Sequence, residues 1–295
     1  MRVFITGAAG FIGSAITANL LQAGHKVIGL THSEKGTELL KAQGVEVQRG
    51  NINDPESLRS GIERSDGIIH CAYLHGFDRI EEASKQESAA IEALGNFLVG
   101  SERPLLITSV AAMGIAVPGQ PATEDHFDLN QRNPRYATET AAATVADRGV
   151  KVSIVRLPQV HNTKKLGIVS SLIQIARDKR VSAYIGDGAN RWAAAHVLDV
   201  VKVYRLVLER NEPGRYHAVA EEGISLKRIA ETIGKGLHIP AVSMSVEEAR
   251  SHFGPFAMFV GFDMSASSEQ TRNRLNWHPE GPGLIEDLEQ VEYDG

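Results

Sequence analysis

The sequence predicts an α/β fold, a doubly wound parallel sheet of the Rossmann type with a smaller C-terminal lobe. Short apolar runs alternate with segments of helical length through the first half of the chain. Those runs are apolar on successive residues, as strands covered on both faces require, and a glycine-rich turn, "TGAAGFIG", follows the first of them directly. The expected strands are "RVFIT" (2–6), "KVIGLT" (26–31), "VEVQR" (45–49), "GIIH" (67–70), "LLIT" (105–108) and "KVSIVR" (151–156). Ala23-Gly24 ends the first helix, and in "NDPESLRSGI" Asp54 is placed as an N-cap with Pro55 at the first helical position. After about residue 160 the alternation gives way to mixed helices and short strands with no second nucleotide-binding pattern. Residues 1–160 are therefore expected to form a dinucleotide-binding domain. Residues 161–295 are expected to form mainly a substrate-binding lobe, some segments of which return to the first domain.

The bulk properties narrow the class of partner. The 295 residues are 42% hydrophobic and 23% charged, as in an ordinary folded protein, and the net charge of −5 carries no long block of one sign. Nucleic acid is thus not an expected partner. Cys71 is the single cysteine, which excludes an intrachain disulfide and suits a reducing compartment. No run is long and apolar enough for a membrane span, and "VFITGAAGFIG" lacks the basic start and cleavage site of a signal peptide, so a cytoplasmic location is expected. The histidines are scattered without metal-ligand spacing, and no metal site is expected.

The glycine motif supplies the first functional candidate. Gly7, Gly10 and Gly13, with Phe11 and Ile12 between the last two, stand between a strand and a helix. That context is the one in which glycines give a tight turn, close approach to a pyrophosphate and open helix N–H groups. The end of the second strand bears on which dinucleotide binds. An acidic residue there would hold both ribose hydroxyls of NAD, whereas "GLTHSEK" offers Thr31, then His32, Ser33 and Lys35, donors suited to a 2′-phosphate. Glu34 argues the other way, since a shift of the loop would offer it to the ribose. NADP, as NADPH, is the expected cofactor, with NAD second.

With these landmarks in order, the chain resembles the extended short-chain dehydrogenase/reductase family over nearly its whole length. The likeness runs through "TGAAGFIG", "RGNINDPESL", "DGIIHCAY", "LLITSVAAMG", "VRLPQVHN" and "GDGANRWAAAHVLDVVKVY". It implies that Asn51 and Ile52 lie by the adenine, Cys71 and Ala72 by the cofactor ribose, and Leu157 to Val160 near the nicotinamide. It also implies that Ser109, five places before Gly114, is the catalytic Ser/Thr and that Tyr136 is the catalytic tyrosine. In "YATET", however, Thr140 stands where the family has lysine, and Met113 replaces an aromatic residue common there.

The lysine binds the nicotinamide ribose in such a site and lowers the tyrosine pKa. Without it a phenol near ~10 stays protonated, able to donate a proton but poor as a base, so reduction survives better than oxidation. Arg132, Arg135, Lys164 and Lys165 are candidate replacement cations, and His161 a candidate proton source. The leading expectation is NADPH-dependent reduction of a small or medium ketone or aldehyde. A sugar-nucleotide epimerase or dehydratase, and a dinucleotide-binding sensor without catalysis, are the alternatives. A homodimer built on the helices before and after strand five is expected from the resemblance.

Overall fold

In a computed structural model of the chain, residues 1–73, 79–128 and 135–293 are described. Seven strands form one all-parallel sheet in the order β3-β2-β1-β4-β5-β6-β10. They are β1 (Arg2–Thr6), β2 (Lys26–Thr31), β3 (Glu46–Arg49), β4 (Gly67–His70), β5 (Leu105–Val110), β6 (Val152–Leu157) and, after three strands that lie elsewhere, β10 (Gly214–His217). The first six coincide with the apolar runs to within two residues at either end. The order reverses between β1 and β4, and this switch point is where an open α/β sheet leaves a crevice for ligand.

Helices cover both faces. α1 (Phe11–Gln22), α2 (Glu34–Ala42) and α7 (Val197–Arg210) lie over one face, with Ile16, Leu20, Leu40, Val200 and Val207 in a common core with Val3, Ile5 and Ile69. α3 (Glu56–Glu63), α4 (Ile80–Asn96) and α5 (Tyr136–Asp147) cover the other, burying Leu58, Ile62, Leu94 and Val145 against Phe4, Ile68 and Ile107. Each such fully buried Leu or Ile contributes about 1.5–3 kcal/mol relative to exposure. α1 ends at Ala23-Gly24 as expected, with Gly24 at φ +83°. α3 starts one residue later than expected: Pro55 holds the cap position and the Asp54 carbonyl, not its side chain, receives the Ser57 N–H.

The rest of the chain makes a smaller lobe. β7 (Gln159–His161), β9 (Arg191–His196) and β11 (Glu221–Ser225) form a three-stranded sheet, and β8 (Ser182–Ile185) pairs with β12 (Ala241–Met244). α6 (Val169–Lys179), α8 (Leu226–Gly236), α9 (Val246–Phe253), α10 (Ala257–Val260) and α12 (Leu284–Glu289) pack with them around Trp192, Leu226 and Phe253. α11 (Glu269–Leu275) lies beside α7 and β10. α7 and β10 are the segments that return to the main sheet. No described helix is long and apolar enough to cross a membrane, and no described cluster of His, Cys, Asp and Glu could hold a metal ion.

Two histidines at strand ends are held neutral inside the fold. Burial, then the charge of Arg135, lowers His70 to about 4, and burial, then Arg156, lowers His217 to about 4. An unfolded histidine titrates near ~6.5, so below that value the unfolded chain takes up protons that the folded chain refuses. Stability is therefore expected to fall as pH drops from ~6.5 toward 4, read as a declining urea midpoint, and His217→Gln should flatten part of that slope.

Candidate active site

The crevice begins at the glycine turn. Gly7 has φ +71°, and a side chain there would lie 2.8 Å from the Ala72 nitrogen; one at Gly13 would lie 2.1 Å from the Gly7 carbonyl oxygen. Backbone contact this close is possible only for glycine. Gly10, the cap residue of α1, closes the turn by donating its N–H to the Gly7 carbonyl at 2.9 Å, and no side chain caps the helix. The first-turn N–H groups of α1 are thus left for an anion, and the site fits the diphosphate of a dinucleotide. Phe11 and Ile12 start that helix half-buried, and Lys165 lies 5.7 Å over the Phe11 ring.

At the edge where β2 and β3 end, Thr31 and Arg49 are register partners. Thr31 is buried and accepts the Ser33 N–H, while Ser33 caps α2 through the Gly36 N–H. His32, Ser33 and Lys35 are exposed. Arg49, which the sequence reading passed over, brings a half-exposed guanidinium to the same place, bonded to Thr37 Oγ1 at 2.9 Å and paired with Glu34 at 3.1 Å. Only strand register could reveal it, because seventeen intervening positions separate it from Thr31 in the sequence. Asn51 sits in the exposed turn after β3, its Oδ1 accepting the Asn53 N–H, with Ile52 half-buried beside it.

Over the ends of β4 and β5, Cys71 and Ala72 adjoin the glycine turn, and the Ala72 N–H reaches Thr6 Oγ1 at 3.3 Å. Thr108 Oγ1 lies 2.7 Å from Tyr204 Oη, 2.9 Å from the His70 carbonyl oxygen and 3.3 Å from Cys71 Sγ. Burial pushes the Cys71 thiol up to about 11, with the Thr108 and Tyr204 hydroxyls opposing the shift, so the group is an inert thiol rather than a nucleophile. Leu157 and Val160 are buried in the core that also holds α1 and α7.

The two expected catalytic hydroxyls have different surroundings. Ser109 is fully buried, and its hydroxyl donates to Glu139 Oε1 at 2.8 Å. Tyr136 opens α5 at 39% exposure, and no hydrogen bond is made by its phenol among the described residues. Successive helical residues are turned by about 100°. Arg135, Thr138, Glu139, Ala142 and Val145 face inward and are buried, whereas Tyr136, Thr140, Thr144 and Asp147 form an adjoining outward stripe, and none of these four is buried. Thr140 spends its hydroxyl on the Tyr136 carbonyl at 3.0 Å.

The inward stripe ends in two charged clusters. Glu139 receives both Nε and Nη2 of Arg156 at 2.8 Å, and Arg215 Nε at 3.0 Å. Burial alone would raise Glu139; the bonds and charge of Arg156, then Ser109 and Arg215, bring it below the ordinary range. Arg135 donates to Glu87 at 2.8 Å and to the Thr108 carbonyl at 3.1 Å, and its guanidinium lies 4.1 Å over the Tyr73 ring.

Among the other candidates, Arg132 lies outside the described residues, and Lys164 is in the exposed turn after β7. His161 is fully buried between the three-stranded sheet and α12: Nδ1 is 2.6 Å from Asp287, and the His196 ring stands edge-on at 5.7 Å. Burial lowers its pKa against the pull of Asp287. Arg191, at the start of β9, is engaged by Asp263 at 3.2 Å and the Gly119 carbonyl at 3.1 Å.

Comparison with known proteins agrees with this geometry at the level of fold and cofactor class. An uncharacterized protein of Schizosaccharomyces pombe is 44% identical over 295 residues, covering 99% of this chain and 100% of its own. A 4-hydroxy-2-methyl-3-oxo-4-farnesyl-3,4-dihydroquinoline-1-oxide ketoreductase of Stigmatella aurantiaca is 23% identical over 86% of this chain and 80% of its own. The UDP-glucose 4-epimerase of Thermotoga maritima, solved with UDP-glucose, superposes with a TM-score of 0.78 at 18% identity, covering 100% of this chain and 98% of that one. The sequence profile described as the NAD dependent epimerase/dehydratase family matches residues 3–219. With the glycine cradle, the parallel sheet order and that match in hand, the chain belongs to the NAD-dependent epimerase/dehydratase family, within the extended short-chain dehydrogenase/reductases.

Proposed function

We propose that the protein is an NADPH-dependent oxidoreductase that reduces a small or medium ketone or aldehyde to an alcohol. The observation that carries this reading is the set of donors at the β2–β3 edge: His32, Ser33, Lys35 and Arg49 surround the place where an NAD enzyme keeps a carboxylate. Glu34, the one carboxylate in that segment, is paired with Arg49. NADPH, when bound, supplies hydride. The chain's own part is to hold the cofactor along the glycine turn, to orient the carbonyl, and to let a proton reach its oxygen from Tyr136 or a substitute. With threonine at 140 the phenol lacks the lysine that would make a base of it, which favours reduction over alcohol oxidation. The ketoreductase relative carries out chemistry of this class by its name. The outward stripe of α5, with Thr140 and Thr144 as small residues, is the face that the expected homodimer would bury.

Calorimetry is expected to give tighter binding of NADPH than of NADH, with His32→Asp or Arg49→Glu reversing the order by placing a like charge against the 2′-phosphate. NADH binding as tightly as NADPH to the unaltered protein would overturn the phosphate-site assignment. In a screen of mixed carbonyl compounds, Tyr136→Phe is expected to cut the reduction rate by ~10²-fold, the scale of general acid catalysis. A rate kept within about threefold would mean that the proton comes from a substitute.

A further inference from the structure

We infer that Lys165 closes the dinucleotide site from the smaller lobe: its ammonium pairs with the diphosphate that the glycine turn holds. This deepens the dinucleotide reading given above and rests on it. The ammonium lies 5.7 Å over the ring of Phe11, the first residue of α1, which directly follows the cap residue Gly10. A cation from the other lobe is thus held at the helix end where the anion is expected. Cations are stabilising at helix C-termini and unfavourable at N-termini, so this placement gains only when an anion joins it. Neither element supplies one. α1 has no acidic residue in its first turn, and the turn 162–165 reads Asn-Thr-Lys-Lys. Among the described residues no carboxylate pairs with Lys165, and the Phe11 ring is the partner of its ammonium.

The turn that carries Lys165 is fixed on both sides. His161 before it is buried against Asp287, and Leu166 after it is buried in the core of the smaller lobe. Between them Asn162 Oδ1 accepts the Lys164 N–H at 2.9 Å and the Lys165 N–H at 2.8 Å. The Asn162 N–H in turn donates to the Lys165 carbonyl at 2.8 Å. The backbone of Lys165 is therefore set, while its exposed four-carbon side chain can still swing. A cation–π contact at an exposed site is weak, and a charge-assisted bond to a phosphate oxygen is stronger, so the ammonium leaves the ring for the diphosphate when the dinucleotide binds. The cofactor is then gripped by α1 from one lobe and by Lys165 from the other.

Calorimetric titration of the full chain tests the assignment without a carbonyl substrate. NADPH and NADH both carry the diphosphate, so whichever binds more tightly is the reference, and a failure of the NADPH preference is read separately from a failure here. Lys165→Met is expected to weaken binding of that dinucleotide by about tenfold and to make it less sensitive to salt. ADP-ribose, which keeps the diphosphate and lacks nicotinamide, should lose affinity by the same factor. Lys165→Arg should recover most of the loss, and Lys164→Met, which removes an equal charge from the same turn, should leave binding within about twofold. Equal losses in Lys164→Met and Lys165→Met would reduce the effect to the general field of the surface and overturn the inference. So would unchanged dinucleotide binding in Lys165→Met, or a loss for the dinucleotide that ADP-ribose does not share. Unaltered protein that binds neither dinucleotide would overturn the cofactor reading and the inference with it.

Discussion

The buried ion pair of Glu139 with Arg156 fixes what the rest of the site can be. Both side chains are fully removed from solvent, and the carboxylate is held by two parallel bonds from Arg156, one from Arg215 and one from Ser109. The pair ties α5 to β5, β6 and β10 at once. Removing one partner from such a pair leaves an uncompensated charge and costs about 3–5 kcal/mol, which is enough to prevent α5 from rolling about its axis. Arg156 extends the network to the Thr123 and His126 carbonyls, and its Nη1 lies 3.3 Å from His217 Nε2. His217 Nδ1 must then donate to the Ser267 carbonyl, so the ring has to be neutral. Burial of His217 and its low pKa are parts of one arrangement.

From that anchor the orientation of the helix follows. With Glu139 buried, Arg135 one turn earlier lies on the same buried side, while Tyr136 is exposed and Thr140 half-buried. The tyrosine and threonine of that spacing stay on the solvent-exposed part of the helix. Ser109 is drawn into the same anchor, and its hydroxyl serves the carboxylate rather than a substrate oxygen. Arg135, on the same inward face, is paired with Glu87. His161, which looked like a second proton source, is tied to Asp287 and secures α12 against the three-stranded sheet.

The cofactor end is built from simpler constraints and was more readily seen. Gly7 and Gly13 are required by contacts too close for any side chain, and such positions appear in a sequence as glycines. The donors after β2 are contiguous, so His32, Ser33 and Lys35 could be read in one glance along the chain. Arg49 could not, since it joins them only because β3 pairs with β2 in parallel and ends level with Thr31. Its pairing with Glu34 also answers the one observation in that segment that favoured NAD.

The sequence by itself determined the parallel sheet, the glycine cradle and the class of cofactor, because each depends on residues close together in the chain and on local periodicity. The late return of β10 to the sheet edge was outside its reach, since that pairing joins Gly214 to Ser153 across β7, α6, β8, β9 and α7. The same holds for the face of α5 that meets the crevice. A helix of alanines, threonines and one glutamate has little amphipathic pattern of its own, and a buried glutamate reads in the sequence as an exposed one. Only the arrival of Arg156 and Arg215 from distant strands lets that carboxylate be buried, and its burial puts Arg135 on the inward face of the helix.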